Sequence, residues 1–284
     1  MNKVLITGKT SYVGSSFEKW VLKKYADSMI VESITVRDED WKKQDFVGYD
    51  TVLHVAGIVH QKGGKQNADE YFRVNRDLTY ELALKAKNEN VKHFIFLSSL
   101  SVYGKNSGII NDLTVPKPNT IYGQSKYEAE NLIKKLETSL FKVSIIRPPM
   151  IYGYKCKGNY LKLSAFSKKI PFFININNKR SMIFIDNLSE FLALIIRKEF
   201  SGIFSPQNKE YVCTSEMVEL ISKVNGKKII LVNKIHFFTK IFKRIQLTEK
   251  VFGDLIYEKK VNEKIDGYHV CDFEESIKLS ERVE

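Results

Sequence analysis

The first 146 residues alternate short apolar runs with stretches of helical spacing, and this alternation constrains the fold more than any other feature. Lys3–Thr7 is apolar, partly β-branched and closed by Gly8, the pattern of a short buried strand. From Val13 to Tyr25, the apolar residues Val13, Phe17, Val21 and Leu22 recur at helical spacing. Met29–Val36 predicts a second strand, Thr51–Ala56 a third, Val91–Leu97 a fourth and Lys142–Ile146 a fifth. Helices over Tyr71–Lys87 and Tyr122–Leu136 fall between them. The continuous apolar character of Thr51–Ala56 suits a parallel strand covered on both faces. The implied fold class is α/β, a doubly wound parallel sheet.

After Pro148 and Pro149 the pattern loosens. The spacing predicts a helix near Asn159–Ser167, a strand near Met182–Ile185 and a helix over Leu188–Arg197. Another helix is expected to start at Thr214 or Ser215, either of which can cap it with a hydroxyl. With neither an internal repeat nor a low-complexity linker, this half reads as a lobe packed onto the sheet.

Composition narrows the classes. The 284 residues are 43% hydrophobic and 27% charged, ordinary for a globular chain with a core. No apolar run reaches the ~18 residues that span a bilayer, and Val4–Ile6 is too short and too early for a signal peptide. Cys156, Cys213 and Cys271 offer neither a disulfide framework nor a metal clip, so no metal is expected and a reducing cytoplasm is the natural setting. The net charge of +12 is carried by scattered lysines without an arginine-rich patch, which argues against a nucleic-acid partner. A positive field favours a phosphate-bearing substrate.

Two places in this frame carry chemistry. Thr7-Gly8-Lys9-Thr10-Ser11-Tyr12-Val13-Gly14 joins the first strand to the first helix, where backbone N–H groups and a helix N-terminus receive a dinucleotide pyrophosphate. Gly8 permits the tight turn and Gly14 close helix packing. Ser11 stands where a middle glycine is usual, with a hydroxyl that can contact phosphate. A nucleoside-triphosphate loop is excluded, because Lys3 occupies the position of its first glycine. At the end of the second strand, Arg37 favours the 2′-phosphate of NADP(H), while Asp38 keeps NAD(H) open.

The other place is a pair of segments. Phe94-Ile95-Phe96-Leu97-Ser98-Ser99-Leu100-Ser101-Val102-Tyr103-Gly104 ends a strand in a cluster of hydroxyls. Pro118-Asn119-Thr120-Ile121-Tyr122-Gly123-Gln124-Ser125-Lys126 places Tyr122 and Lys126 on one helical face. A free phenol, with a pKa near ~10, is a poor proton carrier at neutral pH. A nearby ammonium favours the phenolate and brings the tyrosine toward the working range of a general acid–base. Lys126 can also bond the nicotinamide ribose, and Ser99 can hold a substrate oxygen.

In this order, glycine loop, serine cluster and Tyr-x-x-x-Lys, the chain resembles the extended short-chain dehydrogenases of the NAD-dependent epimerase/dehydratase family, with matching segments from Lys3 to about Leu194. The resemblance implies a Rossmann-like NAD(P)-binding domain over 1–150 and a nucleotide-sugar lobe over 151–284, with segments such as 182–200 packing back on the first domain. It implies that Ser99, Tyr122 and Lys126 are catalytic. Thr7, Gly8, Thr10, Ser11, Tyr12, Val13, Gly14, Arg37, Ala56, Gly57, Asn75, Ser98, Tyr122, Lys126 and Pro148 would meet the cofactor. Ser99, Ser101, Tyr122, Asn159 and Arg180 would meet the substrate, Arg180 at its diphosphate. Met150 stands where many sugar epimerases of the family carry asparagine.

A 4,6-dehydratase carries an acidic pair after the catalytic hydroxyl. Here Leu100 and Ser101 follow Ser99, which sets dehydration aside. The whole chain is most similar to reductases of UDP-linked 4-keto-6-deoxy-N-acetylhexosamines in capsule and O-antigen pathways. The expectation is therefore a cytoplasmic, homodimeric 4-ketoreductase using NADP(H). A UDP-sugar 4-epimerase is the alternative, and a non-catalytic NAD(P)-binding regulator is one of another class. Lys234–Gln246 sets Ile235, Phe238, Ile241, Phe242 and Ile245 on one helical face among lysines. It reads as a helix packed on the lobe or on a dimer partner, or as a peripheral contact with an anionic membrane.

Overall fold

Strands that read as continuous apolar runs need cover on both faces, and the computed structural model provides it. The structure describes residues 1–59, 68–233, 253–259 and 265–282. The strands in chain order are β1 (Asn2–Thr7), β2 (Met29–Ile34), β3 (Thr51–His54), β4 (His93–Leu97), β5 (Gly108–Ile110), β6 (Lys142–Ile146), β7 (Met150–Tyr152), β8 (Phe172–Ile174), β9 (Met182–Phe184), β10 (Gly202–Phe204), β11 (Ile230–Val232) and β12 (Leu255–Tyr257). The helices are α1 (Tyr12–Lys24), α2 (Ala68–Phe72), α3 (Leu78–Asn88), α4 (Ile121–Lys134), α5 (Asn159–Ser167), α6 (Ile185–Lys198), α7 (Thr214–Val224) and α8 (Phe273–Ser280).

The chain divides into two compact units. The first comprises Met1–Gly104, Thr114–Pro148 and Leu188–Pro206. It holds a six-stranded sheet in the order β10-β6-β4-β3-β1-β2, with every pairing parallel. The α/β class with a parallel central sheet is as the sequence implies. β2 lies on one side of β1 and β3 on the other, so the strand order reverses at β1, the kind of crevice where such sheets bind ligands. Thr7 is level with His54, His54 with Phe96 and Phe96 with Ile145. The loops that begin at Gly8, Val55, Ser98 and Arg147 therefore leave the same edge of the sheet. One side of the core gathers Leu5, Val52, Phe94, Phe96, Leu82, Ala129, Ile133, Val143 and Ile145. α1 turns Val13, Phe17, Trp20 and Val21 inward. Glu190 of α6 accepts bonds from the Trp20 indole (2.7 Å) and the Tyr25 hydroxyl (2.5 Å).

Several elements differ from the sequence reading. The single helix expected over Tyr71–Lys87 is broken by a π-helical turn, Arg73–Asp77, between α2 and α3. β10 joins the sheet as a sixth strand that hydropathy did not mark. α7 begins at Thr214, but its cap position is Cys213, which makes no side-chain cap bond. Neither hydroxyl caps it: Thr214 accepts from Asn178 Nδ2 (3.0 Å) and Ser215 donates to the carbonyls of Ile174 and Ile176.

The second unit comprises Lys105–Leu113, Pro149–Asn187 and Gln207–Glu284. It carries three two-stranded parallel ladders, β7 with β9, β8 with β11 and β5 with β12. Phe173, Val218 and Ile229 form a small core. At the end of α8, the Glu281 carboxylate accepts from Tyr160 Oη (2.7 Å), Ser164 Oγ (2.9 Å) and Asn225 Nδ2 (3.2 Å) and pairs with Lys168 Nζ (2.8 Å). Lys234–Gln246 lies outside the described residues, and with it the membrane and dimer readings of that stretch. Among the described residues, no helix is long and apolar enough to cross a membrane, and no cluster of three or more His, Cys, Asp or Glu can hold a metal.

Candidate active site

Gly8 turns the chain out of β1 at φ +126°, and a Cβ there would stand 2.9 Å from the Ala56 backbone nitrogen. No other residue type meets both conditions without strain. The turn brings Ser11 to the N-cap of α1, where its Oγ accepts from Gly14 N at 2.9 Å. In this cap the Ser11 oxygen only accepts, which leaves its O–H free to donate to a phosphate. The loop is also braced from outside, since Arg37 Nη2 donates to Thr10 Oγ1 at 2.9 Å. Asp38 caps its own helical turn, its carboxylate accepting from Asp40 N at 3.2 Å.

Thr7 points the other way. It is fully buried, its Oγ1 lies 2.7 Å from His54 Nδ1, and its carbonyl accepts from Val55 N and Ala56 N. The sheet interior claims its hydroxyl. His54 is bonded at both ring nitrogens, by Thr7 and Thr79, and burial pulls its pKa down to about 3.

The catalytic candidates converge. α4 starts after Thr120, whose Oγ1 accepts from Gly123 N at 3.0 Å, and this cap aims Tyr122 and Lys126 inward. Ser99 caps the helical turn Leu100–Tyr103, with its Oγ accepting from Ser101 N (3.1 Å) and donating to Ser101 Oγ (3.2 Å). Burial raises the Tyr122 phenol above its ordinary value, and hydrogen bonding from Ser99 acts in the opposite direction. Tyr71 packs its ring edge-on to Tyr122 at 6.5 Å between centroids and donates its hydroxyl to Val59 O. The Lys126 amine donates to Leu97 O at 2.9 Å and sits 4.5 Å from the Phe96 ring centre. Burial draws its pKa down to about 7, while Glu130 raises it. The sequence reading had Lys126 lowering the phenol; here burial of each group dominates its own titration.

A Cβ on Gly57 would stand 3.1 Å from Lys126 Nζ and 3.0 Å from Asn75 Oδ1, so glycine leaves room above the amine. Asn75, on the π-helical turn, is fully buried; its amide bonds Ile58 N (2.9 Å), Ile58 O (3.0 Å) and Ser125 Oγ (3.1 Å). It fixes the chain after Gly57 to the helix that bears Lys126.

A model of the NAD dependent epimerase/dehydratase family matches residues 4–205. The chain belongs to this family. A UDP-glucose 4-epimerase from Vibrio cholerae is 27% identical over 89% of this chain and 86% of its own length. An N-acetyl-alpha-D-glucosaminyl-diphospho-ditrans,octacis-undecaprenol 4-epimerase from Escherichia coli O157:H7 is 26% identical over 80% of this chain and 74% of its own. Two solved structures share the fold at 17% identity. A UDP-glucuronic acid 4-epimerase from Bacillus cereus in complex with NAD has a TM-score of 0.74, covering 98% of this chain and 97% of that one. A dTDP-4-dehydrorhamnose reductase from Clostridium acetobutylicum has a TM-score of 0.73, covering 97% of each.

In this epimerase/dehydratase-family member the Ser98 hydroxyl donates to Glu130 Oε1 at 2.5 Å in the buried interior. Pro148 uses its carbonyl to accept from Leu100 N at 3.0 Å. Asn159 and Arg180 belong to the second unit. Asn159 opens α5. Arg180 Nη1 donates to Gly253 O at 2.7 Å; burial lowers its pKa and Asp254 raises it. The sequence pattern assigns Gly123 no role. A Cβ there would stand 2.5 Å from Ser101 O, so glycine is what lets the first turn of α4 close on the Ser99 turn.

Proposed function

We propose that the chain interconverts UDP-linked hexoses at C4, as a 4-epimerase that retains its nicotinamide dinucleotide. The convergence of Ser99, Tyr122 and Lys126 at the carboxyl edge of a parallel sheet carries the reading. The epimerase names of the curated relatives support epimerisation over the 4-ketoreduction that the sequence put first.

The residues fit a dinucleotide. The glycine turn at Gly8 opens the first turn of α1, where the backbone of Tyr12 and Val13 lies at the positive end of the helix and suits a pyrophosphate. Thr10 and Arg37 stand beside that loop, Ala56 and Gly57 line the next strand end, Asn75 fixes the latter, and Lys126 and the Pro148 loop complete the set. When bound, the dinucleotide supplies hydride acceptance and return at the sugar C4.

The protein's own groups manage the proton. Ser99 holds the C4 oxygen by a hydrogen bond. Tyr122 takes the proton as that oxygen becomes a carbonyl and gives it back when the hydroxyl reforms on the other face. A protonated Lys126 favours the phenolate that the first half-reaction needs. With a pKa of about 7, Lys126 holds that charge up to neutral pH. Arg180 and Asn159 are proposed to bind the nucleotide diphosphate and the sugar.

Two observations favour a second reading, NADPH-dependent 4-ketoreduction. Burial keeps Tyr122 protonated, the form that donates to a carbonyl oxygen. Arg37 is braced on Thr10, where it suits a 2′-phosphate. Mass spectrometry and chromatography of products from UDP-sugars and UDP-4-keto sugars, with and without NADPH, separate the two. Epimer without added reductant supports the first reading. Product that requires NADPH replaces it with the second, and no turnover of either panel refutes both.

A further inference from the structure

We propose that Glu130 and Arg147 are positioning residues whose ion pair holds the Ser99 turn at both ends and fixes it to the helix that carries Tyr122 and Lys126. Both are almost wholly buried, Glu130 at 0% and Arg147 at 4% relative exposure. Glu130 lies one helical turn after Lys126 on α4, and Arg147 follows β6 directly.

Arg147 grips the carboxylate through Nε to Oε1 (3.0 Å) and Nη2 to Oε2 (2.5 Å). Two further bonds of the pair go to the two ends of one short turn. Ser98, just before the turn, donates its hydroxyl to Glu130 Oε1. Tyr103, its last residue, accepts at Oη from Arg147 Nη1 (2.9 Å), with the guanidinium 5.0 Å from its ring centre. Leu100, the first residue of the turn, donates to the carbonyl of Pro148, the neighbour of Arg147. Arg147 is itself anchored, its backbone N–H donating to Phe204 O of β10.

Such a pair is a poor device for stability, because packed apolar side chains of the same volume stabilise equally well. It is a good device for register, since a bidentate fork fixes distance and orientation together. Its second effect is electrostatic. The groups facing Lys126 are Glu130 on its own helix, His54 of β3, the Phe96 ring and the Leu97 carbonyl of β4, and Asn75 of the π-helical turn. His54 is neutral across the working range, so Glu130 is the carboxylate that favours the charged amine.

This inference rests on the acid–base reading of Ser99, Tyr122 and Lys126, so its test includes a readout independent of turnover. Glu130→Gln is compared with the double variant Glu130→Gln/Arg147→Met, which leaves no unpaired buried charge. Nitrogen-15 NMR of labelled lysine follows the titration of Lys126, and kcat and KM are measured across pH. In Glu130→Gln the Lys126 titration is expected to fall by on the order of one pH unit, with the alkaline limb of kcat moving down alongside it. In both variants kcat is expected to fall ~10²-fold, as for a displacement of about 1 Å, with KM within about twofold of wild type. If Glu130→Gln does not fold, the double variant decides the kcat question. A folded double variant with kcat within about threefold of wild type overturns the positioning role, and an unmoved Lys126 titration overturns the electrostatic one. If wild type turns over no nucleotide sugar yet the Lys126 titration still shifts, the functional reading fails and the coupling stands.

Discussion

Gly123→Ala adds one carbon and asks whether the approach of two turns sets the chemistry. The new Cβ would lie 2.5 Å from Ser101 O, 3.1 Å from Ser101 C and 3.2 Å from Pro118 Cβ. A comfortable carbon–oxygen contact is about 3.5 Å, so the first turn of α4 and the Ser99 turn must separate by ~1 Å. Neither side yields easily. Thr120 caps α4 through Gly123 N, and Asn119 Nδ2 donates to Gly104 O at 2.7 Å. Tyr122 is the neighbour of Gly123, and Ser99 begins the turn that bears Ser101, so the separation falls on the proposed proton-transfer pair. A displacement of that size costs ~10²-fold in rate. Stability changes far less. Overpacking costs about 1–3 kcal/mol, and replacing glycine in a helix returns about 1 kcal/mol. The net loss of ~0–2 kcal/mol lowers Tm by several degrees at most. Steady-state kinetics and thermal melts on the same preparation check this. A Gly123→Ala protein with kcat within about twofold of wild type would refute the reasoning.

Tyr122→Phe keeps the ring packed on Tyr71 and removes the proposed proton carrier, so turnover should fall by at least ~10²-fold while the melting temperature holds. Arg37→Ser should weaken NADPH binding about tenfold in a calorimetric titration and leave NADH within about threefold; equal losses for both would remove Arg37 from the 2′-phosphate. Glu281→Ala leaves Tyr160, Ser164, Asn225 and Lys168 without their shared acceptor, and a denaturant melt should show a loss of at least about 2 kcal/mol, an unchanged midpoint contradicting that role. The histidines make stability depend on pH. Burial lowers His54 to about 3 and His93 to about 4, so between about pH 6.5 and 5 the unfolded chain binds protons that the folded chain refuses. Stability should therefore fall as pH drops through that window, by up to about 1.4 kcal/mol per unit for each histidine, and level off above it. A flat profile from denaturant melts would show that neither is buried neutral.

What could be read in advance followed from periodicity and from chemistry that is local in the chain. The strand, glycine loop and helix at Lys3–Tyr25 are marked by apolar pattern and by Gly8, and Tyr122 and Lys126 share a face because they are four residues apart. Contacts between distant segments were not legible. β10 is three residues long with Ile203 exposed, so its pattern does not separate it from a loop. The π-helical turn Arg73–Asp77 falls inside a stretch whose pattern reads as one helix. Thr7 and Ser98 sit at strand ends, and the buried partners of their hydroxyls, His54 and Glu130, come from distant segments. The Glu130–Arg147 pair joins a helix to a strand end, a meeting that only the fold creates.

The central claim is that Tyr122 and Ser99 manage the proton while a hydride leaves and returns at C4 of a UDP-linked hexose. A UDP-hexose deuterated at C4, incubated with the enzyme without reductant and analysed by NMR, tests it most directly. The account predicts epimerised product that keeps deuterium at C4, a slower rate than the protiated sugar, and near-complete loss of conversion in Tyr122→Phe. Epimer that has exchanged its C4 deuterium for solvent hydrogen, or conversion that survives Tyr122→Phe undiminished, would contradict it.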